Sequence, residues 1–169
     1  MVPDAYYKNI FEIDYKKLKN KGYKNIFFDV DNTLVPYTKG LAGKEVKDFI
    51  TKLKKDFNLV IVSNSMSNRV LKIVDDLGVK GYYTSMKPLK KVYKKIAKEY
   101  NKKECIFIGD QFMTDIMGAK RSKYKVILVD RLNNKEPIVT KFWRFFEKRL
   151  LFIYKKKNIF VVNRYYDNL

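Results

Sequence analysis

The sequence contains no histidine and one cysteine, Cys105. A zinc site of the usual ligand set is thereby excluded, as is nucleophilic catalysis by Ser-His or Cys-His pairs. Acid–base chemistry must fall to carboxylates, lysine or tyrosine. A lone cysteine cannot close an internal disulfide, so a reducing, cytoplasmic setting is expected. Cys105 lies in the apolar run "ECIFIG" and reads as an inert core residue. Glycine and proline are scarce too, at seven and four of 169 residues, while 46% of residues are hydrophobic. That balance excludes a disordered or low-complexity chain. No apolar run approaches the ~18 residues a membrane span needs. The opening "MVPDAYYKNIFEIDYKK" lacks the positive start and apolar stretch of a signal peptide.

Acids are outnumbered: 18 Asp+Glu stand against 37 Lys+Arg, a formal net charge of +19. Such a field favours anionic partners, whether phosphate esters, nucleic acid or an acidic membrane face. Much of the lysine also fits ordinary solvated helix faces. What matters is where the few acids fall.

Short apolar runs rich in β-branched and aromatic residues recur at "NIFFDV", "NLVIVS", "GYYT", "ECIFIG" and "KVILVD". Between them, apolar spacing predicts helices over 44–57, 68–77, 89–100 and 113–121. The alternation predicts an α/β fold in three layers, a Rossmann-like parallel sheet with helices on both faces and no large cap domain. The length suits one domain, with a catalytic body over 1–137, including a lead-in over 1–22, and a basic, aromatic tail over 138–169.

In "NIFFDVDNTLV" two acids, Asp29 and Asp31, follow the first strand, and residues i and i+2 of an extended chain point the same way. Like charges so placed need a cation, a shared proton or a hydrogen-bond network. A loop of Asx-turns is the plainer alternative. Ser63 and Asn64 follow the second strand, and Asp110 and Asp115 the fourth. Open α/β sheets bind ligands beyond the carboxyl ends of their strands, so one rim collects these residues. Asp29, Asp110 and Asp115 suit a hard cation such as Mg²⁺, although Asp115 also fits a helix cap. The Ser63–Asn64 stretch fits a helix N-cap and equally a phosphate site. Lys87, just before Pro88, would supply positive charge against phosphate oxygens. Together the parts describe phosphoryl transfer to a carboxylate, with Asp29 as nucleophile and Asp31 as proton shuttle.

These motifs resemble the haloacid dehalogenase (HAD) superfamily of phosphatases. "DVDNT" matches its DxDxT motif, Ser63 its second, Lys87 its third and "GDQFMTD" its GDxxxxD motif. The resemblance implies a nucleophile at Asp29, a general acid/base at Asp31 and phosphate binding by Thr33, Ser63 and Asn64. It also implies charge stabilisation by Lys87, and Mg²⁺ held by Asp29, Asp110, Asp115 and the backbone carbonyl of Asp31. More finely, "DNTLVPY", "SNS" and "GDQFMTDIMGAKR" resemble subfamily IIIA, the branch with the YqeG-like proteins and phosphatidylglycerophosphate phosphatases, over residues 6–130. That branch implies an anionic phospholipid substrate, phosphatidylglycerophosphate. Two other readings stay open: a phosphatase for nucleotides, sugar phosphates or nucleic-acid ends, and a non-enzymatic phosphate-accepting domain, against which Asp31 counts. The gaps after Thr33 and Asn64 are too short for a lid, which favours large or anchored esters.

The tail "IVTKFWRFFEKRLLFIYKKKNIFVV" mixes Phe142, Trp143, Phe145, Phe146 and Phe152 with Lys141, Arg144, Lys148, Arg149 and three further lysines. Read as a helix over 140–157, it is expected to make peripheral contact with an anionic membrane, on its inner face. The competing reading is a helix packed on the core or on a second subunit. Nucleic-acid binding is disfavoured, since no recognised module is visible. Asp130 reads as a loop cap, and residues 158–169 carry no assignment.

Overall fold

The computed structural model describes the backbone of residues 1–135 and 138–169, and the side chains of residues 1–135 and 144–169. Seven strands form one sheet: β1 (Ala5–Tyr7), β2 (Asn25–Phe28), β3 (Asn58–Val62), β4 (Lys80–Tyr82), β5 (Cys105–Gly109), β6 (Lys125–Val129) and β7 (Tyr166–Asp167). Their order is β4-β3-β2-β5-β6-β1-β7. All neighbours run parallel except β7, which pairs antiparallel with β1 at the edge. Among the described residues, the α-helices that connect them are α1 (Tyr15–Asn20), α2 (Lys44–Leu53), α3 (Asn68–Leu77), α4 (Lys91–Glu99), α5 (Met117–Arg121) and α6 (Ile138–Lys156).

Alternation along each buried strand sorts side chains into two cores. Ile26 and Phe28 of β2, Leu59 and Ile61 of β3, and Ile106 and Ile108 of β5 face one side, covered by Leu18, Ile50, Leu53, Val70, Ile73 and Leu77 from α1 to α3. Phe27, Val60, Val62 and Phe107 face the other, covered by Val92, Tyr93 and Ile96 of α4, Ala119 of α5, and Leu150, Leu151 and Tyr154 of α6. Three layers result, as the sequence predicts. The caps are local and legible: Ser67 accepts from Val70 N–H at the start of α3, and Gly78 closes it in the left-handed region.

Two segments form elements that the sequence reading leaves unassigned. The lead-in contributes strand β1, whose three residues are too short to give a periodic signal, and α1, capped by Asp14. Residues 158–169 return to the sheet as β7, with Phe160 buried against Tyr6 and Phe112. Asp130 accepts from the Tyr6 and Tyr165 hydroxyls, tying that return to the end of β6.

In α6 one face packs on the second core while Phe145, Phe146, Phe152 and Ile153 are exposed. The tail residues Lys141, Phe142 and Trp143 lie outside the described side chains. No helix of the described residues is long and apolar enough to cross a membrane.

Candidate active site

From β2 the chain proceeds through β3 to β4 on one side, and β5 returns on the other side of β2. A crevice opens where the order reverses, beyond the carboxyl ends of β2 and β5. Register places Phe28 opposite Ile108, and Asp29 N–H donates to Ile108 C=O at 3.0 Å. Asp29 after β2 and Asp110 after β5 are thereby set side by side.

Asp115 reaches the same point by an unusual turn. Residues Phe112–Ile116 form a π-helical turn, closed by Met117 N–H to Phe112 C=O, a widened geometry often found at functional sites. Its carboxylate lies against Gly109, where a Cβ would sit only 2.6 Å from Asp115 Cβ, Cγ and Oδ2. Glycine at 109 is therefore a spatial requirement. One carboxylate oxygen from each of Asp29, Asp110 and Asp115 lies within 4.8 Å of the others. Three hard oxygen donors without nitrogen or sulfur suit Mg²⁺, so the residues present fit that ion.

Lys87, 5% exposed, lies between two of these acids. Its Nζ donates to Asp29 Oδ1, Asp115 Oδ1 and Val62 C=O, each at 2.7 Å. Thr33 Oγ1 donates to Asp110 Oδ1 at 3.3 Å. Ser63 is buried, its Oγ accepting from Ser65 N–H.

Two residues sit differently from the simplest picture. Asn64 commits both ends of its amide to the Lys87 main chain, accepting from Lys87 N–H at 2.7 Å and donating to its carbonyl at 3.1 Å. Its side chain thus braces the lysine loop. Asp31 is outside the triad: its carboxylate pairs with Arg69 of α3.

Residues 41–123 match the hydrolase family described as haloacid dehalogenase-like hydrolase. Over 159 residues the chain is 35% identical to "Probable phosphatase YqeG" of Bacillus subtilis (strain 168), with 92% of each chain covered. The chain is a haloacid dehalogenase-like hydrolase. It is also 25% identical over 173 residues to "Phosphatidylglycerophosphate phosphatase 1, chloroplastic/mitochondrial" of Arabidopsis thaliana, spanning 94% of this chain but 49% of that relative. Among solved structures, the magnesium-bound HAD-hydrolase YfnB of Bacillus subtilis aligns with a TM-score of 0.56 at 15% identity, over 69% of this chain and 91% of that one, a likeness of fold.

Electrostatics in this hydrolase follow from burial of four charges in one crevice. Burial pushes the Asp29 carboxyl well above the ordinary carboxylate range, Lys87 opposing it and Asp115, Asp110 and Asp31 adding to it. Asp110 is pushed up to about 7, chiefly by burial, with the Arg144 guanidinium opposing. For Lys87 burial favours the neutral amine, but Asp115 and Asp29 outweigh it and raise the ammonium above its ordinary value. A cationic lysine held by two acids is the result.

Three site residues escape the sequence reading. Arg69 donates through Nε to Lys39 C=O at 2.7 Å and through Nη2 to Pro36 C=O at 3.1 Å, besides its pair with Asp31, and lies over the Tyr37 ring. It pins the loop that carries the acid. Arg144 of α6 pairs with Asp110 Oδ2 and donates to Glu147 Oε1 at 2.8 Å. Buried Glu147 in turn accepts from Met113 N–H. The i,i+3 spacing of Arg144 and Glu147 is visible in the sequence, but nothing local says that this helix face meets the crevice.

Proposed function

We propose that this hydrolase is a Mg²⁺-dependent phosphomonoesterase working through an aspartyl-phosphate at Asp29. The observation that carries the reading is the convergence of Asp29, Asp110 and Asp115 with Lys87 inserted between two of them. Asp29 would attack phosphorus, and Asp31 would protonate the departing ester oxygen. Asp31, now a carboxylate, would take a proton from the water that attacks the phosphorus of the aspartyl-phosphate, releasing phosphate and restoring Asp29. Thr33, Ser63 and Lys87 would hold the phosphate oxygens, with Asn64 keeping the Lys87 loop in place. Asp29, Asp110, Asp115 and the Asp31 carbonyl would bind Mg²⁺. The ion, when bound, supplies positive charge that offsets repulsion between the nucleophile and the phosphate.

The leading substrate is phosphatidylglycerophosphate, presented at a membrane surface. Similarity to the Arabidopsis phosphatase supports it, as do the net charge of +19 and the short loops around the crevice. Phosphate release should be measured across lipid and non-lipid monoesters, with and without Mg²⁺. Hydrolysis that needs Mg²⁺ and disappears in Asp29→Asn is expected, with the lipid ester turned over fastest. Metal-independent turnover, or full activity in Asp29→Asn, would overturn the catalytic reading, and preference for a nucleotide or sugar phosphate would overturn the lipid assignment.

A further inference from the structure

The two ends of the sheet differ in the side chains they expose. At the amino end of the strands, the loops over 21–24, 54–57, 78–79, 100–104 and 122–124 present no exposed large apolar residue, and Met1, ahead of β1, is the exposed one on that side among the described residues. At the carboxyl end, around the crevice, nearly every loop does. Phe11 follows β1, Leu41 follows β2, Met66 follows β3, Met86 and Leu89 follow β4, and Leu132 follows β6, each between 40% and 59% exposed. Met86 and Leu89 share a loop, Phe11, Leu41 and Leu132 meet at one pocket, and Met66 comes from a further loop. Exposed Lys39, Lys90, Lys91 and Lys135 lie on the same segments as Leu41, Leu89 and Leu132. Beside Thr33 a pocket of about 410 Å³, lined largely by apolar groups, opens among Phe11, Leu41, Val46 and Leu132.

We infer that this collar is a docking face for an anionic lipid bilayer, which would seat the crevice directly on the headgroup layer. Apolar tips drawn from five loops, with lysines among them, suit a fluid interface, where the tips insert without a fixed partner geometry and each ammonium meets a lipid phosphate. A protein partner would call for a contiguous, close-packed patch with few lysines. Charge complementarity points the same way, since the whole chain carries +19. The bilayer then does the work of a lid: it covers the crevice and excludes water while the phosphate is transferred. The pocket beside Thr33 lies within the collar and has room for apolar parts of an anchored ester. This inference builds on the catalytic reading above and relocates membrane contact from the exposed face of α6 to the mouth of the crevice.

The test uses the full chain and phosphatidylcholine vesicles with and without phosphatidylglycerol. Binding is followed by co-sedimentation, and turnover of a small water-soluble phosphomonoester is measured in parallel. The double variant Met66→Ser/Leu89→Ser should lose about tenfold in affinity for the anionic vesicles, yet keep wild-type turnover of the soluble ester. The control Phe152→Ser/Ile153→Ser, on α6, should bind as wild type does. Loss of binding in the α6 variant alone, equal binding to neutral vesicles, or no binding by the wild type would each overturn the collar. Failure of the catalytic reading looks different: the wild type would leave the soluble ester intact, whatever its vesicle binding.

Discussion

An alanine at position 109 would test the site through a single methyl group. Its Cβ would lie 2.6 Å from three atoms of Asp115. Carbon atoms in contact stay roughly 3.5 Å apart or more, so the carboxylate must retreat by roughly 1 Å. Gly109 cannot easily yield instead, because it is held in β5 opposite Leu128 of β6. The retreat strains the bonds from Lys87 Nζ at 2.7 Å and from Gln111 N–H at 3.1 Å. Misplacing a positioned group by this much costs on the order of 10²-fold in rate. Gly109→Ala is therefore expected to lower kcat/KM about 100-fold and to raise the Mg²⁺ concentration for half-maximal activity, with a calorimetric Mg²⁺ titration showing the same weakening. Far-ultraviolet circular dichroism checks that the variant is folded. A folded Gly109→Ala protein with wild-type Mg²⁺ affinity and turnover would show that Gly109 does not set the position of Asp115.

Other perturbations separate the roles of the remaining residues. Asp31→Asn should slow the first phosphoryl transfer from an alkyl phosphate by roughly 10²–10⁴-fold and spare the initial burst of 2,4-dinitrophenol from 2,4-dinitrophenyl phosphate, whose leaving group needs no proton, while steady turnover of both esters falls because breakdown of the aspartyl-phosphate loses its base. Arg69→Ala should show the same contrast in the first transfer more weakly, whereas an equal loss of that step on both esters would mean that it only supports the fold. Lys87→Met removes the cation between Asp29 and Asp115; without Mg²⁺ it should cost about 3 kcal/mol in urea unfolding, and added Mg²⁺ should restore more stability to the variant than to wild type. Asp4 gives a pH test remote from the crevice. Burial raises its carboxyl, but bonds from Lys125, Val126 N–H and Lys120 outweigh that and hold it below its ordinary value. A depressed folded pKa gives stability that is present above the unfolded value and is lost as pH falls through the folded one. Asp4→Asn should thus cost about 1–2 kcal/mol at neutral pH, with the gap to wild type closing below about pH 4; a constant gap across that range would contradict the assignment.

The core strands were legible because β2, β3, β5 and β6 each carry a run of three or more consecutive apolar residues buried on both faces. Helix α3 appears with the bounds its spacing predicts, between Ser67 and Gly78. Three-residue β1 and two-residue β7 were not legible, since their stability comes from pairing with distant chain and no periodicity fits in so few residues. In the site, acids at strand ends could be found because carboxylates are costly there unless compensated. Arg69 and Arg144 could not be singled out among 37 basic residues: their meaning lies in what they touch, which only the packing of α3 and α6 decides. Asn64 looked like a phosphate ligand because an amide at a helix start can be one, and the Lys87 loop that occupies it comes 23 residues later.

Covalent phosphorylation of Asp29 is the step on which the proposed catalysis turns. Rapid acid quench of the enzyme turning over a ³²P-labelled phosphomonoester, followed by proteolysis and mass spectrometry, measures it directly. A hydroxylamine-labile phosphoryl group on Asp29, absent from Asp29→Asn, is the expected result. Label on another residue, or steady turnover with no labelled protein in the Asp31→Asn variant, where breakdown of the intermediate should be slowest, would contradict it.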